Sequence, residues 1–373
     1  MNKEDIYSRP DMSVTPYKYS PMFAFLFSPL TLLPKHLASL IFFTMNFFMV
    51  AGICFLSGRI MNIEGLSFGQ KVLLFSIPVL FTSRFILLVW DAGQVNILML
   101  FLVVLSLFLL KRNQVILSAC CLALSAFIKY MPVLFLPYFV VKKQWKYVAW
   151  VMIFMLLFSL IPALYVGLDQ EINYLKNWLP FISHTSLDLL SWVDYKNQSL
   201  YSTVLRYSMD LSAYDFNYSH SFLNLTFYQG LGTAIVLGFA IYCFALFPVE
   251  DKKQTSLMDY SLLFLCMALL NPNAWFVNFV VLLFVYMYLL HYLIKNRFKD
   301  KVVLIGGILA FILSSWMSEA IFSEDLERLF EELSNIAIAS LILVFLLIRI
   351  KFKKVGAAQF SSQKIIHHSK GRL

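Results

Sequence analysis

Lys129 is the residue whose setting first suggests chemistry. It lies in the segment SACCLALSAFIKYMPVLFLPYFVV, and no other charged residue occurs between Gln114 and Val141. An ammonium group in apolar surroundings is costly unless it reaches lipid headgroups or holds an anion. A fixed cation can also stabilise negative charge that develops on a reacting group. The position of Lys129 therefore has two interpretations. Its ammonium group either reaches lipid headgroups or binds an anion.

Amide and aromatic side chains lie at the ends of other apolar segments. The turn LLVWDAGQVNILML contains Asp91, Gln94 and Asn96, and a long connection contains SWVDYKNQSLYSTVLRY. A third segment, ALLNPNAWFVNFV, contains Asn271, Asn273, Trp275 and Asn278. Sugars present CH faces and hydroxyls, which aromatic rings and amides can bind. An aromatic belt at a membrane surface would have the same composition, so composition alone does not separate the two.

The elements that must position these residues are membrane helices. The chain has 373 residues, is 60% hydrophobic and only 14% charged, and contains many apolar runs of about 20 residues. These features predict an all-α, polytopic helical membrane protein whose surroundings are a lipid bilayer. The formal charge of +9 does not indicate nucleic-acid binding, because the basic residues form short clusters beside apolar runs.

The apolar runs predict about 10 to 11 transmembrane segments. They lie at about 36–57, 70–90, 95–110, 114–129, 131–141, 146–167, 227–247, 257–271, 275–294, 301–322 and 335–351. Basic clusters follow one set of span ends, including Lys111-Arg112, Lys142-Lys143 and Lys353-Lys354. The positive-inside rule places that side in the cytoplasm, together with the C-terminus.

The segment around Lys129 has to turn back for this topology to hold. Basic clusters flank both ends of the stretch from Gln114 to Val141, and one straight span cannot satisfy that. Pro132 lacks an N–H group and disfavours helix in the preceding residue, so we predict a helix break before it. Lys129 would then lie at the outer turn.

Five segments together resemble glycosyltransferase family 87. They are YKYSPMFAFLFSPLTLLP, DAGQVNILML, SAFIKYMPVLFLPYFVVKKQWK, NQSLYSTVLR and NPNAWFVNFVVL, and the similarity covers roughly residues 15 to 295. The motif positions are Tyr17, Tyr19, Pro21, Gly93, Gln94, Asn96, Lys129, Pro132, Asn197 and Ser199. Each motif is short, but their order is specific.

The resemblance implies a glycosyltransferase C-like fold and a site outside the cytoplasm. The donor would be a polyprenyl-phosphate sugar, as in the related mannosyltransferases, and the acceptor a lipid or glycan in the plasma membrane. No cofactor or metal is expected. The implied sugar- or acceptor-binding residues are Tyr17, Tyr19, Asp91, Gln94, Asn96, Asn197, Gln198, Ser199, Asn271, Trp275 and Asn278.

The same resemblance places Lys129 beside the donor phosphate, where it would stabilise the leaving group. Arg84 and Arg206 are further candidates for phosphate binding. For Arg84 the alternative is snorkelling, and for Arg206 it is an exposed loop charge.

A catalytic carboxylate is harder to assign. Inverting members of this architecture use an acid in the first outer loop, which here points to Asp5. In the family that loop follows a membrane span, so we expect a span to be encoded upstream of Met1. The alternative to Asp5 is then a base that also lies upstream of Met1. Many members also carry a His after the tryptophan of the last motif, where this chain has Asn278.

The domain prediction is a single integral membrane domain over 1–354, followed by a disordered basic cytoplasmic tail over 355–373. Within it, 1–35 is expected to form an outer loop and re-entrant segment, and 168–226 an outer loop with short helices. The five cysteines lie in apolar segments without CxxC spacing and are interpreted as buried small hydrophobes. A lipid-linked sugar carrier, or a truncated member without activity, is the alternative function.

Overall fold

The computed structural model of the chain describes residues 6–7, 17–183, 193–208, 222–247 and 257–370. Over these residues the fold contains helices and no strand, as predicted. The first half comprises α1 (Pro21–Phe27), α2 (Lys35–Met61), α3 (Phe68–Phe81), α4 (Ser83–Asp91), α5 (Asn96–Lys111), α6 (Val115–Ile128), α7 (Phe135–Val141), α8 (Trp145–Leu160), α9 (Ala163–Val166) and α10 (Leu168–Ser183).

The second half continues with α11 (Leu200–Ser208), α12 (Phe222–Ala245), α13 (Leu257–Leu269), α14 (Leu282–Lys295), α15 (Lys301–Phe311), α16 (Glu324–Glu332) and α17 (Asn335–Lys370). Short 3-10 segments cover Ser28–Leu32, Met131–Leu134 and Phe276–Val281, and a π-helical turn covers Ile312–Trp316. The last helix thus includes much of the tail that the sequence predicted to be disordered.

Among the described residues, five helices are long and apolar enough to cross a membrane. They are Lys35–Met61, Trp145–Val166, Phe227–Ala245, Phe276–Lys295 and Asn335–Lys353. The α3–α4 pair adds a sixth if it is one span, although the two helices meet at 56°. Pro78 lies inside α3, where its ring and missing N–H favour such a bend. The protein is therefore a multi-pass membrane protein.

The predicted number of spans is higher than this count. Six further apolar helices have only 10 to 17 residues, among them α5 and α6. At 1.5 Å per residue a helix of 16 residues is about 24 Å long, shorter than a bilayer core of about 30 Å. Polar turns and prolines end these helices early, so predicted spans such as 95–110 and 114–129 correspond to helices that are too short to cross.

The centre of the bundle is formed by α13 and α14. Every residue of α14 except its last is buried, which is the pattern expected of a helix that is apolar on all sides. At one end of the bundle, two basic residues share the buried carboxylate of Asp259. Lys142 lies 3.2 Å and Lys351 3.6 Å from the Asp259 carboxylate oxygens. The basic cluster that precedes α8 and the one within α17 therefore lie at the same end of the bundle.

The helix break before Pro132 is confirmed. Helix α6 ends at Ile128, Lys129 has an extended backbone conformation (φ −144°, ψ 134°), and the 3-10 turn Met131–Leu134 follows. The segment before α1 is fixed to this break by Ser20. Its hydroxyl donates to the Phe127 carbonyl at 2.5 Å and accepts from the Phe23 N–H, which caps α1.

Candidate functional site

Lys129 lies at the end of α6 with an amide as its hydrogen-bond partner. Its ammonium is 3.4 Å from Oδ1 of Asn278, in the 3-10 segment before α14. Among the described residues, no carboxylate forms an ion pair with Lys129; the charge that acts on it is the ammonium of Lys18. The break therefore presents a cation with no compensating anion, and Asn278 supplies only a dipole.

Buried amides hold Asn278 in place. Its Oδ1 accepts from the amide of Asn96 at 2.8 Å, and its own amide donates to the Asn273 carbonyl at 3.2 Å. Asn96 is fully buried, and its own Oδ1 has no hydrogen-bond partner. An unsatisfied buried acceptor is uncommon because leaving it without a donor costs free energy. Asn96 and Asn278 thus join two predicted site segments that are distant in sequence.

The NPNA turn contributes a second contact at the break. Tyr130, directly after Lys129, donates its hydroxyl to the side-chain carbonyl of Asn271. The amide group of Asn271 donates to the Asn273 carbonyl at 3.0 Å, so the turn is braced internally. Trp275 follows, with 42% of its surface exposed and its indole N–H bonded to the Asn273 side chain.

Tyrosines before α1 complete the cluster. The Tyr19 hydroxyl donates to Oε1 of Gln94 at 2.7 Å, and the Tyr17 and Tyr19 rings contact edge to face. Tyr17 and Tyr19 are half-buried. The Lys129 site is the name used below for one set of contacting residues and their neighbours. It comprises Lys129, Asn96, Asn278, Asn271, Tyr19 and Gln94, with the adjacent Lys18 and Tyr130. The structure therefore brings together residues from four of the five motif segments.

The NQS segment is buried and bonded to other parts of the protein. Asn197, Gln198 and Ser199 are all fully buried. Asn197 donates to the Pro272 carbonyl at 2.8 Å and accepts from the Ala274 N–H at 3.1 Å. The Gln198 side chain donates to the Glu331 carbonyl at 2.8 Å. These contacts attach the long connection to the NPNA turn and to α16, so the segment braces this part of the fold. Its sugar contact stays a prediction.

Arg84 is likewise committed to protein partners. Its guanidinium pairs with the carboxylates of Glu327 and Glu331 on α16, the latter at 2.6 Å. It also donates to the carbonyls of Ser314 and Met317 at 3.1 and 3.0 Å. The sequence-based expectation of a phosphate contact conflicts with this arrangement, because two acidic side chains already neutralise the charge.

Arg206 is bonded to groups in and beside the long connection. It donates to the backbone carbonyls of Asp194 and Asn197, both at 2.8 Å, and to the Ser334 hydroxyl at 2.6 Å. Burial lowers the pKa of Arg206 to about 10, and it remains charged at neutral pH. Arg206 is half-buried and bonded to protein groups, so the exposed-charge alternative is wrong, while the phosphate contact stays a prediction.

The acidic candidates differ in position. Asp91 is exposed at the end of α4, three residues before Gln94. Asp5 lies outside the described residues. Sequence reasoning missed Lys18 as a neighbour of Lys129, although the two sit in motif segments that it had aligned.

The fold and the site define the general class of the protein. It is a helical, multi-pass membrane protein with a cationic site at a helix break. The model of glycosyltransferase family 87 matches residues 17–272, which is more than half of the chain. The chain therefore belongs to glycosyltransferase family 87 and is a membrane glycosyltransferase. The match includes Lys129 and Gln94 but ends before Trp275 and Asn278. A search of curated proteins gives no match.

Proposed function

We propose that the protein transfers a hexose from a polyprenyl-phosphate sugar to a lipid or glycan acceptor on the outer face of the plasma membrane. Mannose is the first hexose to test, because the sequence resembles mannosyltransferases that use such donors. In this reaction the acceptor oxygen bonds to the anomeric carbon, the bond from that carbon to the phosphate oxygen breaks, and polyprenyl phosphate leaves with the electron pair.

The observation that carries this proposal is the uncompensated ammonium of Lys129. When the sugar leaves, the donor phosphate gains negative charge, and a cation already fixed beside it needs no reorganisation to stabilise that charge. Asn278 orients the ammonium at 3.4 Å without neutralising it. Lys18 adds a second positive charge nearby. A purely snorkelling lysine would not require a buried amide network behind it.

The remaining residues of the Lys129 site suit a sugar. Tyr17 and Tyr19 offer aromatic faces, while Gln94 offers an amide bonded to the Tyr19 hydroxyl. Trp275 and Asp91 are exposed and can contact a sugar or acceptor hydroxyl. The reaction also needs a base, for which Asp5 is the candidate from the family resemblance.

A carrier that moves lipid-linked sugar across the membrane is the second candidate. The same cation and polar turns could hold a lipid phosphate during transport. A carrier would move the lipid without breaking the bond between sugar and phosphate, so product analysis separates the two functions.

The test uses full-length protein in liposomes with radiolabelled polyprenyl-phosphate hexoses and a total membrane lipid extract as acceptor. We expect transfer by the wild type. Lys129→Ala should lower turnover by roughly a hundredfold to a thousandfold. Lys129→Arg should keep part of the activity, because the charge remains while the donor geometry changes.

Lys35 provides the matched control, because it is an exposed lysine at the start of α2. Lys35→Ala should transfer at the wild-type rate. Transfer by Lys129→Ala at the wild-type rate would refute the role of Lys129. Movement of intact donor across the bilayer without transfer would establish the carrier instead.

A further inference from the structure

A cavity of about 200 Å³ lies between the end of α2 and the start of α3. Its rim carries the charged side chains of Arg59, Glu64 and Lys71, and its walls include the rings of Phe55 and Phe75. A water molecule occupies about 30 Å³ in the liquid, so the cavity has room for a group much larger than water. A charged rim above an apolar wall suits an amphiphile.

The cavity forms because both helices pack against α14 and leave a crevice between their ends. Asn62 ends α2 in a left-handed conformation (φ 54°), and the turn that follows leads to Ser67, which caps α3. Gly58 lies on the closed side of the crevice. A Cβ atom there would lie 3.2 Å from the Phe75 ring and 2.8 Å from the Ile63 side chain. The inner side is therefore closely packed by apolar side chains.

The cavity lies at the boundary between the acyl chains and the headgroups of the bilayer. Arg59 is in the last turn of the spanning helix Lys35–Met61, and Lys71 is one turn after the start of α3, which begins the α3–α4 pair. Phe55 and Phe68 near these two helix ends are exposed. Exposed aromatic side chains at the ends of spanning helices face lipid, so an amphiphile in the cavity would be part of the bilayer.

Further basic residues mark this side of the membrane. Lys111 at the end of α5 donates to the carbonyls of Arg59 and Ile60 at 3.1 and 2.8 Å, and Arg112 follows it. The positive-inside rule assigns such an end to the cytoplasm. Asn96, a member of the Lys129 site, is at the other end of α5, about 22 Å away by helical rise. The cavity is therefore separate from the Lys129 site.

The charges around the cavity favour an anion. The Arg59 guanidinium pairs with Glu64 at 3.1 Å through one terminal nitrogen, and both side chains are exposed. A guanidinium has further N–H donors, so this pair leaves donors available to a ligand. Among the residues that the structure describes, the Lys71 ammonium has no ion-pair partner. With Lys111 nearby, three positive groups surround one negative group.

An anionic phospholipid fits these features better than a soluble anion or solvent does. A soluble phosphate would need the cations but not the apolar wall. Basic residues that only snorkel to the surface would need neither the crevice nor its wall. Basic pockets between membrane helices on the cytoplasmic side bind anionic headgroups, because the lipids of that leaflet carry negative charge.

We propose that this cavity binds one anionic phospholipid of the cytoplasmic leaflet. Its phosphate group lies between Arg59 and Lys71 and accepts hydrogen bonds from both, while the first part of an acyl chain lies against Phe55 and Phe75. The lipid then holds the turn between α2 and α3 at the membrane surface. The site takes no part in the transfer reaction, so its test needs neither sugar donor nor acceptor.

Native mass spectrometry of the full-length protein, released from detergent micelles, measures the Kd of the first bound phosphatidylglycerol or phosphatidylcholine. Phosphatidylglycerol should bind at least about tenfold more tightly than phosphatidylcholine, because only the former has a net negative charge. Arg59→Gln combined with Lys71→Gln should weaken phosphatidylglycerol binding by about twentyfold to thirtyfold, since each basic residue near an anionic headgroup contributes a factor of roughly five.

Arg297→Gln combined with Lys299→Gln is the matched control. It removes the same two charges from exposed positions that lie outside the cavity, just after α14. Its affinity for phosphatidylglycerol should stay within about twofold of the wild-type value, because exposed charges beyond a Debye length are screened. Glu64→Gln should change the affinity in the opposite direction, a gain of about fivefold, since it frees Arg59 and removes the one negative group. That variant tests the site even if the Arg59 and Lys71 double variant does not fold.

Three results would overturn the assignment. Equal affinity for the two lipids would show that the headgroup charge is not recognised, and an equal loss in the two double variants would show that surface charge alone attracts the lipid. A fall in affinity in Glu64→Gln would contradict the placement of the phosphate. Binding of soluble glycerol 3-phosphate as tightly as phosphatidylglycerol would make the occupant a free phosphate rather than a lipid.

Discussion

Replacing Arg84 with methionine separates the two roles that sequence and structure give to this residue. The sequence suggested a contact with the donor phosphate. In the structure the guanidinium is 8% exposed and pairs with Glu327 and Glu331. Methionine keeps the length and apolar packing of the side chain but removes its charge and its donors. The variant therefore leaves two carboxylates of α16 without their cation.

The magnitude follows from the contacts that are lost. Arg84 makes two charged hydrogen bonds to carboxylates and two to backbone carbonyls. Breaking a buried ion pair by removing one partner costs about 3–5 kcal/mol, because the other charge stays buried. The face of Phe276, 5.2 Å from the guanidinium carbon, loses a cation–π contact as well. We expect the free energy of unfolding to fall by about 3–5 kcal/mol.

The loss should depend on pH. Burial raises the pKa of Glu331, and the charge of Arg84 opposes that shift in the native protein. Without Arg84 the pKa of Glu331 rises further, so the carboxyl group takes up a proton more readily. The destabilisation should accordingly be largest near pH 8, where the unpaired acids are charged, and smaller near pH 5.

The assay is thermal unfolding of purified protein in detergent at these two pH values, with transfer activity measured in parallel. Arg328→Met is the matched control, because Arg328 forms an exposed ion pair with Glu332 on α16, the helix that also carries Glu327 and Glu331. Exposed pairs contribute roughly 0–1 kcal/mol, so its Tm should hardly change. Adding Glu327→Gln and Glu331→Gln to Arg84→Met should restore much of the lost stability. A variant with unchanged Tm at both pH values and lost transfer would refute the structural role and return Arg84 to the donor phosphate.

Two further predictions concern the amide networks. Asn197→Ala removes the bonds to Pro272 and Ala274, so limited proteolysis should cut the long connection faster, while an unchanged cleavage rate would argue against the brace. Asn278→Asp places a carboxylate 3.4 Å from the Lys129 ammonium, and the resulting ion pair should lower the transfer rate at least tenfold. Transfer at the wild-type rate by this variant would contradict the need for an uncompensated cation.

Much of the fold could be predicted from local patterns. Apolar runs of about 20 residues and the low charge content predicted an all-helical membrane protein. The break before Pro132 was predictable because proline acts on its own backbone and on the preceding residue. The number of crossing helices was less accessible, because several apolar runs that were counted as spans form helices of only 10 to 17 residues.

The candidate site was predicted in part. The motifs placed Lys129, Asn96 and Asn278 among the residues of interest, and the structure joins them through one side-chain oxygen. The same motifs included Asn197, which is buried as a brace. Amides serve equally well as ligand contacts and as buried connectors, so their type and spacing do not indicate which role they have.

What the sequence determined by itself was the presence of a membrane glycosyltransferase fold and of a lone lysine at a helix break. Only the tertiary structure decided which charges are compensated. Arg84 meets carboxylates 243 and 247 residues later in the chain. Among the residues that the structure describes, Lys129 meets an amide and Glu171 has no hydrogen-bond partner. Charge compensation depends on distances of a few ångströms between segments remote in sequence, and those distances are set by helix packing rather than by any local pattern.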